Sequence, residues 1–124
     1  MNRLEKEISL SAEGPPKEME GGGFRRTYCF APGFIGFSGH FPGYPILPAF
    51  VQVLTVLSMA REIKGATVSL LSLERAKFQA EIYPGRDIEV EYREGLHKGR
   101  PSIDATLSME GLPAARLLLT FREG

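Results

Sequence analysis

The amino-acid sequence predicts an α+β protein in which one apolar helix packs against an antiparallel sheet. A mostly apolar segment between Pro48 and Gly65 has the length and the end signals of a buried helix. Beyond Gly65 the hydrophobic period changes from 3.6 to 2, which is the period of strands that bury one face. Short turns containing Pro or Gly separate these alternating segments, so the strands are expected to pair antiparallel.

The first 23 residues are predicted to hold a short strand and a flexible connection. The strand is Glu5–Leu10, and the connection (residues 11–23) runs through a Pro-Pro pair and three consecutive glycines. Phe24–Phe30 follows as a strand, because it is rich in aromatic and β-favouring residues. Residues 1–124 are expected to form one domain, with residues 1–23 as its N-terminal strand and linker.

The predicted helix begins at Pro48 and ends near Lys64. Proline suits the first turn because its missing N–H would have no partner there, and Gly65 suits the left-handed residue that ends a helix. The first three turns are apolar almost all round, so we expect burial on most sides. The longest near-apolar run, Ala49–Ala60, has 12 residues and is interrupted by Gln52, Thr55 and Ser58, whereas a membrane span needs roughly 20.

Four segments after the helix alternate between apolar and polar residues and are predicted strands. Their apolar positions are residues 76, 78, 80 and 82; 88, 90 and 92; 103, 105, 107 and 109; and 117, 119 and 121. The preceding segment, Thr67–Leu73, is more uniformly apolar, which predicts a strand at the centre of the sheet. The helix is expected to lie along one face of this curved sheet.

Composition and charge exclude two classes of partner. Lys plus Arg number 15 and Asp plus Glu number 15, so no basic excess is available to neutralise a nucleic-acid backbone. The absence of a membrane-length apolar segment argues against a membrane protein.

Cys29 is the only cysteine, which is typical of a reducing compartment, and we expect a cytoplasmic protein. Neither metal-ligand spacing of Cys and His nor a glycine-rich nucleotide turn is present, so no cofactor or metal is predicted.

The distribution of charge points to a candidate site. Residues 27–60 form a run of 34 residues without Asp, Glu, Lys or Arg. Within it, eight of the 17 residues from Pro32 to Pro48 are Gly or Pro, and this segment carries His40. Loops are normally polar and exposed. A restricted, uncharged loop that leads into a buried helix is therefore predicted to line a pocket or an interface.

The segment Phe37–Pro48, with the letters FSGHFPGYPILP, resembles the signature of the hot-dog-fold 3-hydroxyacyl-acyl-carrier-protein dehydratases. Lys77-Phe78 followed by Pro84-Gly85 resembles a later strand and turn of the same family, and the resemblance spans residues 24–93. It implies a long helix wrapped by a curved antiparallel sheet. It also implies a homodimer or higher even oligomer, or a heterodimer with a paralogue, with acyl tunnels between the subunits.

The resemblance implies removal of water from a 3-hydroxyacyl thioester, carried by acyl-carrier protein or coenzyme A, to give the trans-2-enoyl thioester. A base must take the proton at C2, and a donor must stabilise charge on the thioester oxygen. His40 matches the family's catalytic histidine and titrates near neutrality, so it is the expected base. The backbone N–H of Ala49 opens the helix and is the expected oxyanion donor. The residues expected to bind substrate are Phe41, Gly43, Tyr44, Pro48, Phe50, Leu54 and Ser58.

Leu54 stands where the resembled family carries Asp or Glu, which protonates the departing hydroxyl. Ser58, one turn later on the same face, occupies the place where many relatives carry Gln. Gln52 lies about 200° around the helix from Leu54, so it cannot present to the same face. The usual acid is therefore missing from this helix.

Three hypotheses follow from this pattern. In the first, the chain is a dehydratase that uses His40, with water or another group as the acid. In the second, it is one half of a composite heteromer in which a partner supplies Asp or Glu. In the third, it is a non-catalytic subunit that binds acyl chains or the carrier protein. A hot-dog thioesterase ranks lower, because such enzymes generally activate water with a helix carboxylate that is also absent.

Three further residues are interpreted as structural. His97 lies beside Lys98-Gly99-Arg100 in a predicted turn and is interpreted as a solvated loop residue. Cys29 lies in a predicted strand and is interpreted as a buried, inert thiol. Tyr28 is a candidate hydrogen-bond donor in the tunnel, but packing is the preferred interpretation.

Overall fold

The computed structural model describes residues 2–37, 43 and 45–124, and these residues hold a six-stranded sheet with two α-helices. In chain order the elements are α1 (Arg3–Leu10), β1 (Ala12–Glu18), β2 (Phe24–Cys29), a 3₁₀ turn (Ile35–Phe37), α2 (Ala49–Lys64), β3 (Val68–Phe78), β4 (Asp87–His97), β5 (Arg100–Met109) and β6 (Leu112–Glu123). The strand order is β1-β2-β4-β5-β6-β3, and all neighbouring strands are antiparallel. The predicted α+β class is confirmed.

Helix α2 ends at the predicted residue, Lys64, and begins at Ala49, one residue after the predicted start. Pro48 precedes it in an extended conformation, with ψ 151°. Gly65 ends it at φ 61°, and the Gly65 N–H donates to the Arg61 carbonyl at 2.9 Å. Glycine is favoured at such a left-handed position because it has no Cβ. Among the described residues, no helix is both long and apolar enough to cross a membrane.

The core lies between α2 and the sheet. The predicted alternation is confirmed in β4, β5 and β6, where the predicted apolar positions are buried, except for the half-buried Met109, and most intervening residues are not. The buried positions are Ile88, Val90, Tyr92, Ile103, Ala105, Leu107, Leu117, Leu119 and Phe121, and α2 adds Val51, Val56, Met59 and Ala60. Burial of this apolar surface holds α2 along the sheet and so fixes the position at which the helix begins.

The first 23 residues differ from the prediction. Arg3–Leu10 is a helix, so the predicted strand over Glu5–Leu10 is wrong, and Ala12–Glu18 forms strand β1 where a flexible connection is predicted. Asn2 caps α1 by accepting a hydrogen bond from the Glu5 N–H at 2.8 Å, which satisfies one of the first helical donors. Strand β1 lies at an edge of the sheet, where prolines are tolerated, and this explains how its Pro-Pro pair is accommodated.

Strand β3 corrects two further predictions. Thr67–Leu73 and residues 76–82 are predicted as two strands, but one strand, Val68–Phe78, covers most of the first and only residues 76–78 of the second. The predicted apolar positions 76, 78 and 80 are exposed. It lies at the edge beside β6 rather than at the centre of the sheet. Uniform apolarity is misleading here because it is typical of strands covered on both faces. Leu70, Leu71 and Leu73 remain 41%, 44% and 43% exposed, so the described part of the chain leaves this edge uncovered.

Candidate functional site

The loop before α2 holds the predicted catalytic residue. His40 and the predicted substrate-binding residues Phe41 and Tyr44 lie outside the described residues. Gly43 is described, and it is exposed in a turn with φ 78°. The two ends of the loop, and the surfaces on either side of the start of α2, are defined in detail.

The loop starts from an aromatic cluster that follows β2. Phe30 and Phe34 have ring centroids 4.7 Å apart, and Phe34 and Phe37 have ring centroids 5.7 Å apart. The Ile35 N–H donates to Oε1 of Glu7 on α1 at 3.1 Å. Helix α1 and the aromatic cluster therefore hold the 3₁₀ turn that leads into the loop.

The loop ends at the N-terminus of α2, which is joined to the segment after β3. The Leu47 N–H donates to the Ile82 carbonyl at 2.8 Å. Pro48 is buried, and its carbonyl accepts the N–H groups of Val51 and Gln52 at 3.1 Å and 3.2 Å. Both ends of the loop are therefore attached to the body of the protein.

Ala49 is the first residue of α2, and its N–H has no acceptor among the described residues. First-turn N–H groups find no partner inside a helix, and they carry the positive end of the helix dipole. The first turn holds no acidic residue, so no carboxylate there neutralises this end. Because Ala49 is exposed, its N–H is suited to hydrogen-bond an oxygen on which negative charge develops.

A groove with an apolar lining runs between α2 and β3, and we call it the apolar groove. Its volume is about 450 Å³. The described residues that line it are Ala49, Phe50, Val53, Leu54, Leu57, Leu70, Leu73 and Phe78. The predicted binding residues Phe50 and Leu54 meet here. The β3 side of the groove is not predicted from the sequence, because the uniformly apolar composition of that strand indicates a place at the centre of the sheet.

The described lining of the apolar groove contains no carboxylate. Ser58, which is predicted to share the face of Leu54, is only 4% exposed and is not among the described lining residues. Glu62, near the other end of α2, is paired with Arg26. The groove is therefore chemically suited to an alkyl chain, but its described lining offers no acid for a departing hydroxyl.

A second space, the Gln52 cavity, lies beside the same helix terminus and has a volume of about 380 Å³. Its described lining residues are Ile46, Leu47, Pro48, Ala49, Gln52, Phe78, Gln79, Ala80 and Glu81. Ala49 and Phe78 line both spaces, so the start of α2 lies between an apolar groove and a more polar cavity. Gln52 lines only the cavity and Leu54 only the groove, as their angular separation on the helix predicts.

Cys29 lies in a small cluster that the sequence spacing does not reveal. It is half-buried rather than buried, and Glu13 and Asp87 bring one carboxylate oxygen each within 4.8 Å of its sulfur and of each other. Burial, followed by the charges of Asp87 and Glu13, raises the pKa of the Cys29 thiol. A raised pKa favours the protonated thiol, which is a poor nucleophile and a poor metal ligand. This direction supports the prediction of an inert thiol, whereas the prediction that Cys29 is buried is wrong.

His97 and Tyr28 also have defined surroundings. His97 is the last residue of β4, is half-buried, and has Nε2 3.2 Å from Oε1 of Glu74, so its interpretation as a solvated loop residue is wrong. A hydrogen bond from Ser72, together with His97, lowers the pKa of Glu74.

Tyr28 is fully buried, and burial raises the pKa of its hydroxyl. Tyr28 therefore packs in the core, as predicted.

Comparison with known proteins finds dehydratases among the relatives of this chain. A family model named ApeI-like, and described as ApeI dehydratase, matches residues 18–109. The 3-hydroxyacyl-acyl-carrier-protein dehydratase FabZ of Streptococcus suis is 31% identical over 96 residues, which cover 71% of this chain and 69% of that relative. A solved structure described as the dehydratase heterocomplex ApeI:P from Xenorhabdus doucetiae superposes with a TM-score of 0.74 at 20% identity, covering 88% of this chain and 98% of that one. An uncharacterized protein from Erwinia carotovora subsp. atroseptica superposes with a TM-score of 0.70 at 25% identity, covering 89% of this chain and 91% of that one. The likeness to such structures confirms the predicted hot-dog fold.

Proposed function

The chain belongs to the ApeI-like dehydratase family, and we propose that it acts on 3-hydroxyacyl thioesters, removing water to give trans-2-enoyl thioesters. The acyl group is carried by acyl-carrier protein or coenzyme A. One observation carries the proposal: the apolar groove begins at Ala49, whose helix-opening N–H has no acceptor among the described residues. The groove suits an alkyl chain, and the N–H suits the thioester oxygen beside it.

We place the reaction in the cytoplasm, since a single cysteine suits a reducing compartment.

In the proposed reaction, His40 takes the proton from C2 of the substrate, and the electron pair of that C–H bond moves toward the thioester carbonyl. The Ala49 N–H stabilises the negative charge on the carbonyl oxygen. The C3–O bond then breaks, the C2–C3 double bond forms, and the hydroxyl leaves as water after it receives a proton. The role of His40, like the binding roles of Phe41 and Tyr44, rests on its match to the family's motif.

The source of that last proton leads to a second candidate function, one half of a composite heteromer. Leu54 offers no acid, and the described lining of the apolar groove contains no carboxylate. A second copy of this chain brings only another Leu54, whereas a paralogous subunit with Asp or Glu at the matching position brings an acid. The solved structure from Xenorhabdus doucetiae is a dehydratase heterocomplex, which supports this candidate.

The uncovered edge of β3 is the surface on which we place the second subunit, whether a copy or a paralogue. Edge strands present unpaired backbone groups to a neighbouring strand, and Leu70, Leu71 and Leu73 add exposed apolar surface there. A subunit docked on this edge would cover the open side of the apolar groove. The acyl chain would then lie between the two subunits.

The proposal is tested by mixing the purified chain with 3-hydroxyacyl or trans-2-enoyl thioesters and following the absorbance of the enoyl group. We expect His40→Ala to lower turnover by at least about 100-fold, which is the usual contribution of a general base. His97→Ala removes the other histidine of the chain and should retain the activity. Turnover that persists in His40→Ala contradicts the role of His40. If the chain alone is inactive, activity that appears only with a paralogue present supports the composite.

A further inference from the structure

Gln52 carries an unsatisfied polar atom inside the protein. The residue is 4% exposed, and its Oε1 accepts no hydrogen bond from the described residues. Its Nε2 donates to the Leu47 carbonyl at 3.2 Å, which fixes which end of the amide is the oxygen. A buried acceptor without a donor destabilises the unliganded protein, and such atoms are rare in native structures. The atom therefore requires an explanation beyond packing.

Gln52 lines the same cavity as Ala49, whose N–H is the proposed oxyanion donor. Gln52 lines the Gln52 cavity at the N-terminus of α2, one helical turn after Ala49. The cavity meets the apolar groove at Ala49 and Phe78, which line both spaces. A ligand that places its thioester oxygen at the Ala49 N–H thus has an apolar space on one side and a space that Gln52 lines on the other.

Acyl thioesters of pantetheine have matching chemistry. On one side of the thioester lies the alkyl chain, which also carries the 3-hydroxyl and therefore belongs with the groove. On the other side, two methylene groups separate the sulfur from an amide N–H of the pantetheine arm, which acyl-carrier protein and coenzyme A share. We propose that Gln52 Oε1 accepts a hydrogen bond from this amide N–H and so selects thioesters of the pantetheine arm. This inference rests on the proposed function, because it needs the thioester to be bound at Ala49.

Two matched probes test the inference without turnover. One is the octanoyl thioester of N-acetylcysteamine, which carries the amide N–H, and the other is its N-methylated form, which keeps the carbonyl and lacks the N–H. Neither has a 3-hydroxyl to lose, so their dissociation constants can be measured by calorimetry. We expect the wild-type protein to bind the N–H probe about five-fold more tightly, as one neutral hydrogen bond provides.

The variant Gln52→Met keeps the length of the side chain and removes the acceptor, so it should bind both probes with the same affinity. Thr55→Val is the control, because Thr55 is a buried polar residue of the same helix that lines neither described space. It should keep the preference. Equal affinity of the wild-type protein for both probes, or an undiminished preference in Gln52→Met, overturns the inference while leaving the proposed function in place. No binding of either probe by the wild-type protein rejects both.

Discussion

At the C-terminal end of α2 the charged side chains pair with neighbouring elements, whereas the N-terminal end carries no charged side chain at all. Arg61 lies 3.1 Å from a carboxylate oxygen of Glu5 on α1. The Nζ atom of Lys64 lies 2.7 Å from Oε1 of Glu94 on β4 and 3.0 Å from Oε1 of Glu123 on β6. The C-terminal end is thereby attached to α1 and to two strands.

The N-terminal end leaves its polar groups open. Pro48 supplies no side-chain cap. Among the described residues, the Ala49 N–H has no acceptor and Gln52 Oε1 has no donor. Exposed apolar side chains of Phe50 and Phe78 stand beside these groups. Consistency of local interactions tends to break down at functional sites. The C-terminal end of α2 therefore stabilises the fold, whereas the N-terminal end is where we propose that the ligand binds.

Among substitutions at the C-terminal end of α2, the largest change in the free energy of unfolding is expected at Glu62. Glu62 pairs with Arg26, whose side chain is only 7% exposed, and it also accepts a hydrogen bond from Ser9 at 3.3 Å. The variant Glu62→Gln leaves the Arg26 charge buried without its counter-charge, which should lower the free energy of unfolding by about 2 kcal/mol. We place the value below that of a fully buried pair because Glu62 is 36% exposed. Urea unfolding measures it.

The control for this prediction is Glu110→Gln, which breaks an exposed pair with Arg86 and should cost less than about 0.5 kcal/mol. Thioester affinity should be unchanged in both variants, since neither residue belongs to the described lining of the groove or the cavity. An equal loss of stability in the two variants would contradict a stabilising role for the Arg26–Glu62 pair. A fall in thioester affinity in Glu62→Gln alone would contradict the placement of the ligand at the N-terminal end of α2.

A smaller effect, visible through pH, is expected at Lys64. Hydrogen bonds to Glu94 and then Glu123 raise the pKa of Lys64 above its ordinary value of 10.5. A raised folded pKa contributes stability that is complete below the ordinary value and is lost as pH rises through the folded value. The stability difference between the wild-type protein and Lys64→Met should therefore be present at neutral pH and shrink above pH 10.5. Urea unfolding across this range checks it, and a difference that grows with pH would contradict the sign.

The features that the sequence predicts are those with local signals. Pro48 and Gly65 bracket an apolar segment, so helix α2 follows from its end residues and composition. Strands β4 to β6 follow from alternation, because one face of each is buried. The loop before α2 is predicted as part of the site from its sequence motif, although His40 itself lies outside the described residues.

The features that the sequence does not predict depend on distant residues. Helix α1 is mostly polar, and Arg61, far along the chain, pairs with Glu5 within it. Strand β3 has the composition of a central strand but lies at an edge, since the described part of the chain provides no second neighbour. Gln52 is polar among apolar neighbours in the sequence. Only the fold shows that its Nε2 donates to the Leu47 carbonyl, and that its Oε1 is buried without a donor among the described residues.

We propose that the N-terminus of α2 and the apolar groove form a dehydratase site that lacks its acid. The most direct test is the rate of enoyl formation by Leu54→Glu and Leu54→Gln, each without any partner. The two side chains have nearly the same shape, but only Glu donates a proton, and its apolar surroundings should raise its pKa toward the range of a general acid. We predict that Leu54→Glu exceeds the wild-type rate by about 100-fold or more, while Leu54→Gln does not. Equal rates in the two variants would contradict the claim.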